Sequence, residues 1–229
     1  MKTRSLNRRE VFLAAVFLLL ILSLAAPVLA KPQSSLALAG IGTVTVSNVQ
    51  VEAFDLPEAW EHYSNPNGTE LGVEQGVYRA YTPNPGYAWG LNTQSYSNLV
   101  SEVEITPLTI YTDTAAGVMC RADTSNNGDG YYFMINGNGY YSIRIGRGAD
   151  VAALVDWQRS KAIHSGIDRN TVRAVCLNHQ LAMYVNGTLV AQIRDDTYSS
   201  GYVGLAIAAG DNGVDMAFDN LTLYSVQVP

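Results

Sequence analysis

Between residues 43 and 224 the chain is a succession of short runs in which apolar and polar residues alternate, separated by Gly, Asn, Asp and Ser clusters. A period of two residues places every second side chain on one face of an extended strand, so each run has one face to hide. The runs are Thr43 to Val51, Gln75 to Tyr81, Leu99 to Thr106, Ala116 to Ala122, Tyr131 to Ile135, Tyr140 to Ile145, Thr171 to Leu177, Leu181 to Val185, Thr188 to Arg194, Tyr202 to Ala208 and Asp215 to Tyr224. Within the first, Val44 and Val46 are followed by Val49 and Val51, a one-residue change of phase that predicts a bulge. Asn186-Gly187 between two alternating runs predicts a tight hairpin, and Asn136-Gly137-Asn138-Gly139, Ser199-Ser200-Gly201 and Asp211-Asn212-Gly213 predict further turns. No stretch of helical period occurs after residue 30. Many short antiparallel strands must close against one another to bury their apolar faces, so the fold class is all-β, a sandwich of two antiparallel sheets or a barrel.

The amino-terminal thirty residues have a different character. Four cations precede Val11 to Ala30, a stretch of twenty residues without charge, and Val28-Leu29-Ala30 ends it with small residues at the positions a signal peptidase reads. Residues 1–30 thus read as a signal peptide or a membrane anchor, and either one carries the rest of the chain out of the cytosol. Arg8-Arg9 is taken as its ordinary basic head. Residues 31–42, small and mixed, read as a linker, and residues 43–229 as the sandwich domain. From residue 31 onward ten cations face nineteen acids, a balance that repels phosphate backbones and anionic lipid, so nucleic acid is excluded as a partner and membrane contact is confined to residues 11–30.

In an oxidising compartment Cys120 and Cys176 can form a disulfide; the alternative is two buried thiols in neighbouring strands. A metal site built on them lacks ligands, because His62, His164 and His179 stand at no metal-binding spacing from either. Asp123 to Asp129 echoes a calcium loop, but Met134 occupies the place of the bidentate glutamate, and the run reads as a hairpin loop. No cofactor is called for, and calcium has no specific support.

Several segments, in order, resemble one known architecture: Phe54-Asp55-Leu56-Pro57-Glu58-Ala59-Trp60, Val73 to Tyr78, Gly117-Val118-Met119-Cys120-Arg121, Tyr131 to Ile135, Leu181 to Gly187, Gly201 to Leu205 and Phe218-Asp219-Asn220-Leu221. Together they resemble the concanavalin A-like lectin and glucanase superfamily, and within it bacterial laminin G-like domains of the 3-keto-disaccharide hydrolase type. The resemblance implies a jelly-roll sandwich over about residues 51–224. It implies that the outer face of one sheet is concave and can carry a sugar site, and that Phe54 and Trp60 seal an edge of the sandwich.

On that basis the candidate ligand-binding residues are Arg121, Tyr132, Arg173, Trp89 and Trp157. Arg121 and Arg173 stand in opposite phase to the two cysteines, so they are expected to point outward together, with Tyr132 and Met134 beside them; guanidinium planes and aromatic rings suit sugar hydroxyls and apolar sugar faces. Trp89, in the Pro/Gly-rich run Thr82 to Trp89, and Trp157, ahead of the polar run Gln158 to Arg169, are the candidate stacking platforms.

The enzymatic reading is weaker. Glucanases of this fold carry Glu-x-Asp-x-x-Glu on one strand, whereas here Ser101-Glu102-Val103-Glu104-Ile105-Thr106-Pro107 places Glu102 and Glu104 about 6.6 Å apart with Pro107 where the proton donor belongs. The two glutamates are therefore expected to be exposed residues of an outer strand. Elimination chemistry on 3-keto-glycosides needs a base, and Tyr132-Phe133-Met134-Ile135 offers none on the relevant phase. The reading is thus a secreted, non-catalytic lectin-like module that binds extracellular or cell-wall carbohydrate. The alternatives are a hydrolase or lyase acting on 3-keto-disaccharides and an adhesion domain that binds protein.

Overall fold

The computed structural model describes residues 34–227 apart from residue 124, so the signal or anchor reading of residues 1–30 lies outside the described residues. Among the described residues, sixteen strands form two antiparallel sheets. The larger contains β1 (Ser34–Leu38), β2 (Gly42–Glu52), β3 (Tyr63–Ser64), β4 (Glu70–Glu74), β5 (Val77–Thr82), β7 (Leu99–Pro107), β12 (Asn170–Leu177), β13 (Gln180–Val185), β14 (Thr188–Arg194) and β16 (Val214–Gln227). The smaller contains β6 (Gly86–Tyr96), β8 (Ala115–Ala122), β9 (Gly130–Asn136), β10 (Tyr140–Arg147), β11 (Asp150–Arg159) and β15 (Gly201–Ala209). Their orders are β14-β13-β12-β7-β16-β5-β4-β3, with β2 and then β1 attached through β16, and β11-β10-β9-β8-β15-β6. Consecutive strands that change sheet, as β5 to β6 and β7 to β8 do, give the jelly-roll course.

The alternation read from the sequence sets the core. Val103, Ile105, Val172, Ala174, Leu181, Met183 and Phe218 from the large sheet meet Val118, Tyr131, Phe133, Ile143, Leu205 and Ile207 from the small one. Burial of each large side chain contributes roughly 1.5–3 kcal/mol, which is what holds two layers of such short strands together. Cys120 of β8 and Cys176 of β12 form a disulfide across this core, with their Cα atoms 6.8 Å apart. At one edge Phe54 and Trp60 pack edge to face at 5.6 Å, and Tyr78 joins them; all three are buried, as the resemblance implied.

Local signals are met where they were sharpest. Asn186 and Gly187 both take positive φ, 49° and 79°, and turn β13 into β14. Opposite β16, Asn48 pairs with Ser225 and Val46 with Val226, which leaves Ser47 as the bulged residue of β2. Beyond that bulge, β2 and β1 fold as a hairpin over the outer face of the large sheet. There Leu38, Val44 and Val46 cover Val100, Val175, Leu177, Ala182 and Tyr184, and Tyr184 donates to the Ala39 carbonyl. Of residues 31–42, expected as a linker, residues 34–42 thus contain β1, the whole turn at residues 39–41 and the first residue of β2. The short run Ser34-Ser35-Leu36-Ala37-Leu38 buries only Leu38, too weak a pattern to register as a strand.

Candidate functional site

The outer face of the small sheet is assembled from the residues out of phase with the core. β8 contributes Gly117 and Met119, β9 Tyr132 and Met134, β10 Ser142 and Arg144, β15 Gly204 and Ala206, and β6 Tyr87, Trp89 and Leu91. Its middle is closed: Met119, Tyr132, Met134 and Ala206 have no exposed surface. What covers them is a half-buried layer of Tyr87, Trp89, Trp157 and Tyr202. The Tyr87 ring meets the Tyr132 ring at 5.8 Å in a T-shaped contact, and the Arg144 guanidinium lies 6.0 Å from the Trp157 ring. Arg144 also donates to the Val151 carbonyl at 3.1 Å. Burial holds the Tyr132 hydroxyl well above the ordinary phenol range, with Tyr87 adding to the effect, and that hydroxyl donates to the Gly128 carbonyl at 2.7 Å.

Gly128 belongs to the loop between β8 and β9, which folds back over this face. A Cβ at Gly146 of β10 would run into the Gly128 carbonyl, so the glycine is what lets the loop approach. The loop presents Asn126, whose amide donates to both Glu61 carboxylate oxygens at 2.6 Å and accepts from the Trp89 indole N–H. Glu61 accepts in addition from the Leu91 backbone N–H at 3.2 Å. Trp89 is therefore held in orientation by an amide that is itself held by a carboxylate.

Two cavities open beside this layer, and Gly86 and Tyr87 line both. One, of about 370 Å³, runs between Trp89 and the β3–β4 hairpin and is rimmed by Asn65, Asn67, Asn84 and Asn126 together with Glu61 and Tyr63. Its loops are fixed by their own amides: Asn65 accepts from the Asn67 and Thr69 backbone N–H groups at 3.0 Å, and Asn84 donates to the Asn67 carbonyl at 2.9 Å. The other cavity, of about 260 Å³, is bounded by Trp157, Asp113, Thr114, Asn136 and Ala208. An indole face beside convergent amides and hydroxyls can hold a ring with one apolar face and polar edges.

Of the five residues singled out from the sequence, Tyr132, Trp89 and Trp157 come together here, and Arg121 and Arg173 do not. Trp89 lies on strand β6 and Trp157 on strand β11 rather than on loops. The two arginines part because the disulfide crosses the core, so Cys120 and Cys176 belong to facing sheets and the out-of-phase positions of β8 and β12 lie on opposite sides of the sandwich. Arg173 projects from the outer face of the large sheet, where it pairs with Glu102 at 2.7 Å and lies 5.8 Å from the Tyr184 ring. Arg121 does not project at all. It is 3% exposed, and its guanidinium donates to the carbonyls of Ser97 at 3.0 Å and Tyr198 at 2.8 Å. Glu102 and Glu104 are half-buried on β7, an interior strand of the large sheet and not an outer one; Glu104 pairs with Arg169 at 2.6 Å. The run from Asp123 to Asp129 connects β8 and β9, and among the described residues no three His, Cys, Asp or Glu side chains gather as a metal site would require.

The asparagine rim was missed in the sequence. Its signal was present as Asn65-Pro66-Asn67-Gly68 and Asn84-Pro85-Gly86, which read as turn chemistry alone because nothing in a single sequence shows that two such turns meet.

No family model matches the chain, and no curated protein matches it. Solved structures do. A carbohydrate-binding module, CBM66 from Bacillus subtilis, superposes with a TM-score of 0.57 at 17% identity, covering 73% of this chain and 96% of that one. The β-glucanase of Bacillus licheniformis gives 0.54 at 11% identity over 79% of this chain and 99% of its own. A structure described as a native glycosidic hydrolase gives 0.59 at 12% identity, covering 80% and 99%. At such identities the likeness is one of architecture. With two antiparallel sheets in jelly-roll order and these three superpositions, the chain has the concanavalin A-like sandwich fold.

Proposed function

We propose that this domain is a secreted, non-catalytic carbohydrate-binding module that takes its glycan on the outer face of the small sheet. The observation that carries the reading is the gathering of Tyr87, Trp89 and Trp157 on one face with a rim of four asparagines beside Trp89. Aromatic faces stack on the C–H faces of pyranose and furanose rings, and side-chain amides match paired hydroxyls as donor and acceptor at once. The carbohydrate-binding module from Bacillus subtilis, alike in fold, supports the same reading. An inter-sheet disulfide suits an oxidising compartment outside the cytosol. Against catalysis stands the position of Glu102 and Glu104, the closest approach in the sequence to a glucanase acid pair: both are on the other sheet and engaged with arginines.

The test is a glycan array followed by titration calorimetry on the purified protein. Binding of one glycan class is expected, weakened at least tenfold by Trp89→Ala with the circular dichroism spectrum intact. Turnover of the bound glycan would replace the binding reading by a hydrolytic one, and binding unaffected by Trp89→Ala would move the site elsewhere.

A further inference from the structure

The two cavities on this face carry little charge. The larger has one charged group in its lining, Glu61, and the smaller has one, Asp113. Among the described residues, neither lining contains a lysine, arginine or histidine. Arg144, which β10 places on this face, is turned to the Trp157 ring and the Val151 carbonyl and bounds neither cavity. A uronate, sialate or sulfate group entering either space would meet a carboxylate and no counter-charge, in a site that shields it from water on one side.

The cavities also share a wall. Tyr87, fixed from below by its ring contact with Tyr132, is common to both, with Trp89 on one side and Trp157 on the other. Each cavity therefore offers its own indole and its own polar rim, and the two meet at Gly86 and Tyr87. A ligand of a single ring can occupy one of them; a chain of rings can occupy both by passing over Tyr87.

Resting on the carbohydrate-binding reading, we propose that the face is selective for uncharged oligosaccharides and binds them through two subsites, one against Trp89 and one against Trp157, with Tyr87 between. Glu61 and Asp113 set the selectivity by rejecting anionic sugars. The two indoles set the length dependence, because the second subsite adds affinity only when a ligand spans the tyrosine.

The experiment is titration of the purified protein with ladders of gluco-, fructo- and galacto-oligosaccharides of increasing length and with oligogalacturonate and oligoglucuronate ladders, at low and at high salt. Neutral ligands are expected to gain at least tenfold in affinity once they span both subsites. Trp157→Ala should abolish that gain with length, whereas Trp89→Ala should weaken short and long ligands alike. Acidic ladders should bind at least tenfold more weakly at low salt, and the double variant Glu61→Gln, Asp113→Asn should narrow that gap. The proposal is overturned if acidic ladders bind as well as neutral ones or better, or if Trp157→Ala affects short and long neutral ligands equally. In either of those cases carbohydrate binding itself stands. If no ladder binds at all, the underlying reading falls and takes the selectivity with it.

Discussion

Arg121 and Tyr131 show how much chemistry this sandwich keeps for its own integrity. Two residues of β8 lie between Met119 and Ala122, where β15 has only Val203 between their partners Gly204 and Tyr202, and Arg121 takes a φ of 54°. That bulge swings the guanidinium off the outer face and under the Ser97 and Tyr198 carbonyls. Alternation alone cannot reveal it, and this is why Tyr132 stays in phase with the outer side of its sheet while Arg121 does not. Arg121→Ala leaves two carbonyls without donors and should cost about 2–4 kcal/mol in urea unfolding, while glycan affinity of the folded protein stays within twofold. Tyr131 is fully buried, donates to Asp195 at 2.6 Å and accepts from the Tyr198 N–H. Burial first, and then the bond to Asp195, push its hydroxyl up to about 12. A phenol whose folded value is raised stabilises the fold fully below the unfolded value and loses that contribution as pH climbs to the folded one. Stability should therefore decline from about pH 10 toward about pH 12, the window between those two values. Tyr78 and Tyr132, also raised by burial, add to the same loss. Phenolate absorbance and near-ultraviolet circular dichroism followed together check this. Ionisation of these tyrosines without loss of tertiary signal would contradict it.

At the scale of strands, the elements most legible in the sequence were those with one dry face and one clear turn. β13, which turns into β14 at Asn186-Gly187, and β9 and β10 are where the two-residue period runs unbroken, whereas β8 keeps it only as far as its bulge at Cys120 and Arg121. The elements that escaped, β1, β3, β4, β6 and β11, are edge strands, short strands or both. β11 pairs with β10 through two register shifts, which spoil its period, and its outer edge faces solvent, which removes the need for one. The second half of β6 reads Asn92-Thr93-Gln94-Ser95, polar on both faces. The candidate platforms Trp89 and Trp157 sit on these two illegible edges, so their joint face could not be read from pattern. The strongest inter-element constraint is covalent. Cys120 and Cys176 are 56 residues apart, and releasing a loop of that length should cost roughly 4 kcal/mol before any strain is counted. Unfolding in denaturant with and without a thiol reductant measures it, and a change under about 1 kcal/mol would show that the sandwich holds its two sheets by packing alone.

Taken whole, the molecule has two outer faces of opposite character. The small sheet presents aromatic rings and amides. The large sheet presents ion pairs, Glu102 with Arg173, Glu104 with Arg169, and Arg79 with Asp215 at 2.6 Å, along with the apolar patch that the β1–β2 hairpin covers. Pairs as exposed as these contribute roughly 0–1 kcal/mol each. Arg173→Ala should accordingly lower stability by no more than about 1 kcal/mol and leave glycan affinity within twofold, in contrast to either tryptophan. A loss of binding in that variant, measured by calorimetry, would place recognition on the other sheet. The bond from the Trp89 indole to Asn126 has a practical consequence. The chain has three tryptophans, and Trp60 is sealed inside the edge, so the fluorescence that responds to a ligand comes from Trp89 and Trp157 alone. With one of these two replaced by phenylalanine, the emission of the other becomes a private signal for its own cavity, and occupancy at two neighbouring places can be followed separately without attaching a dye.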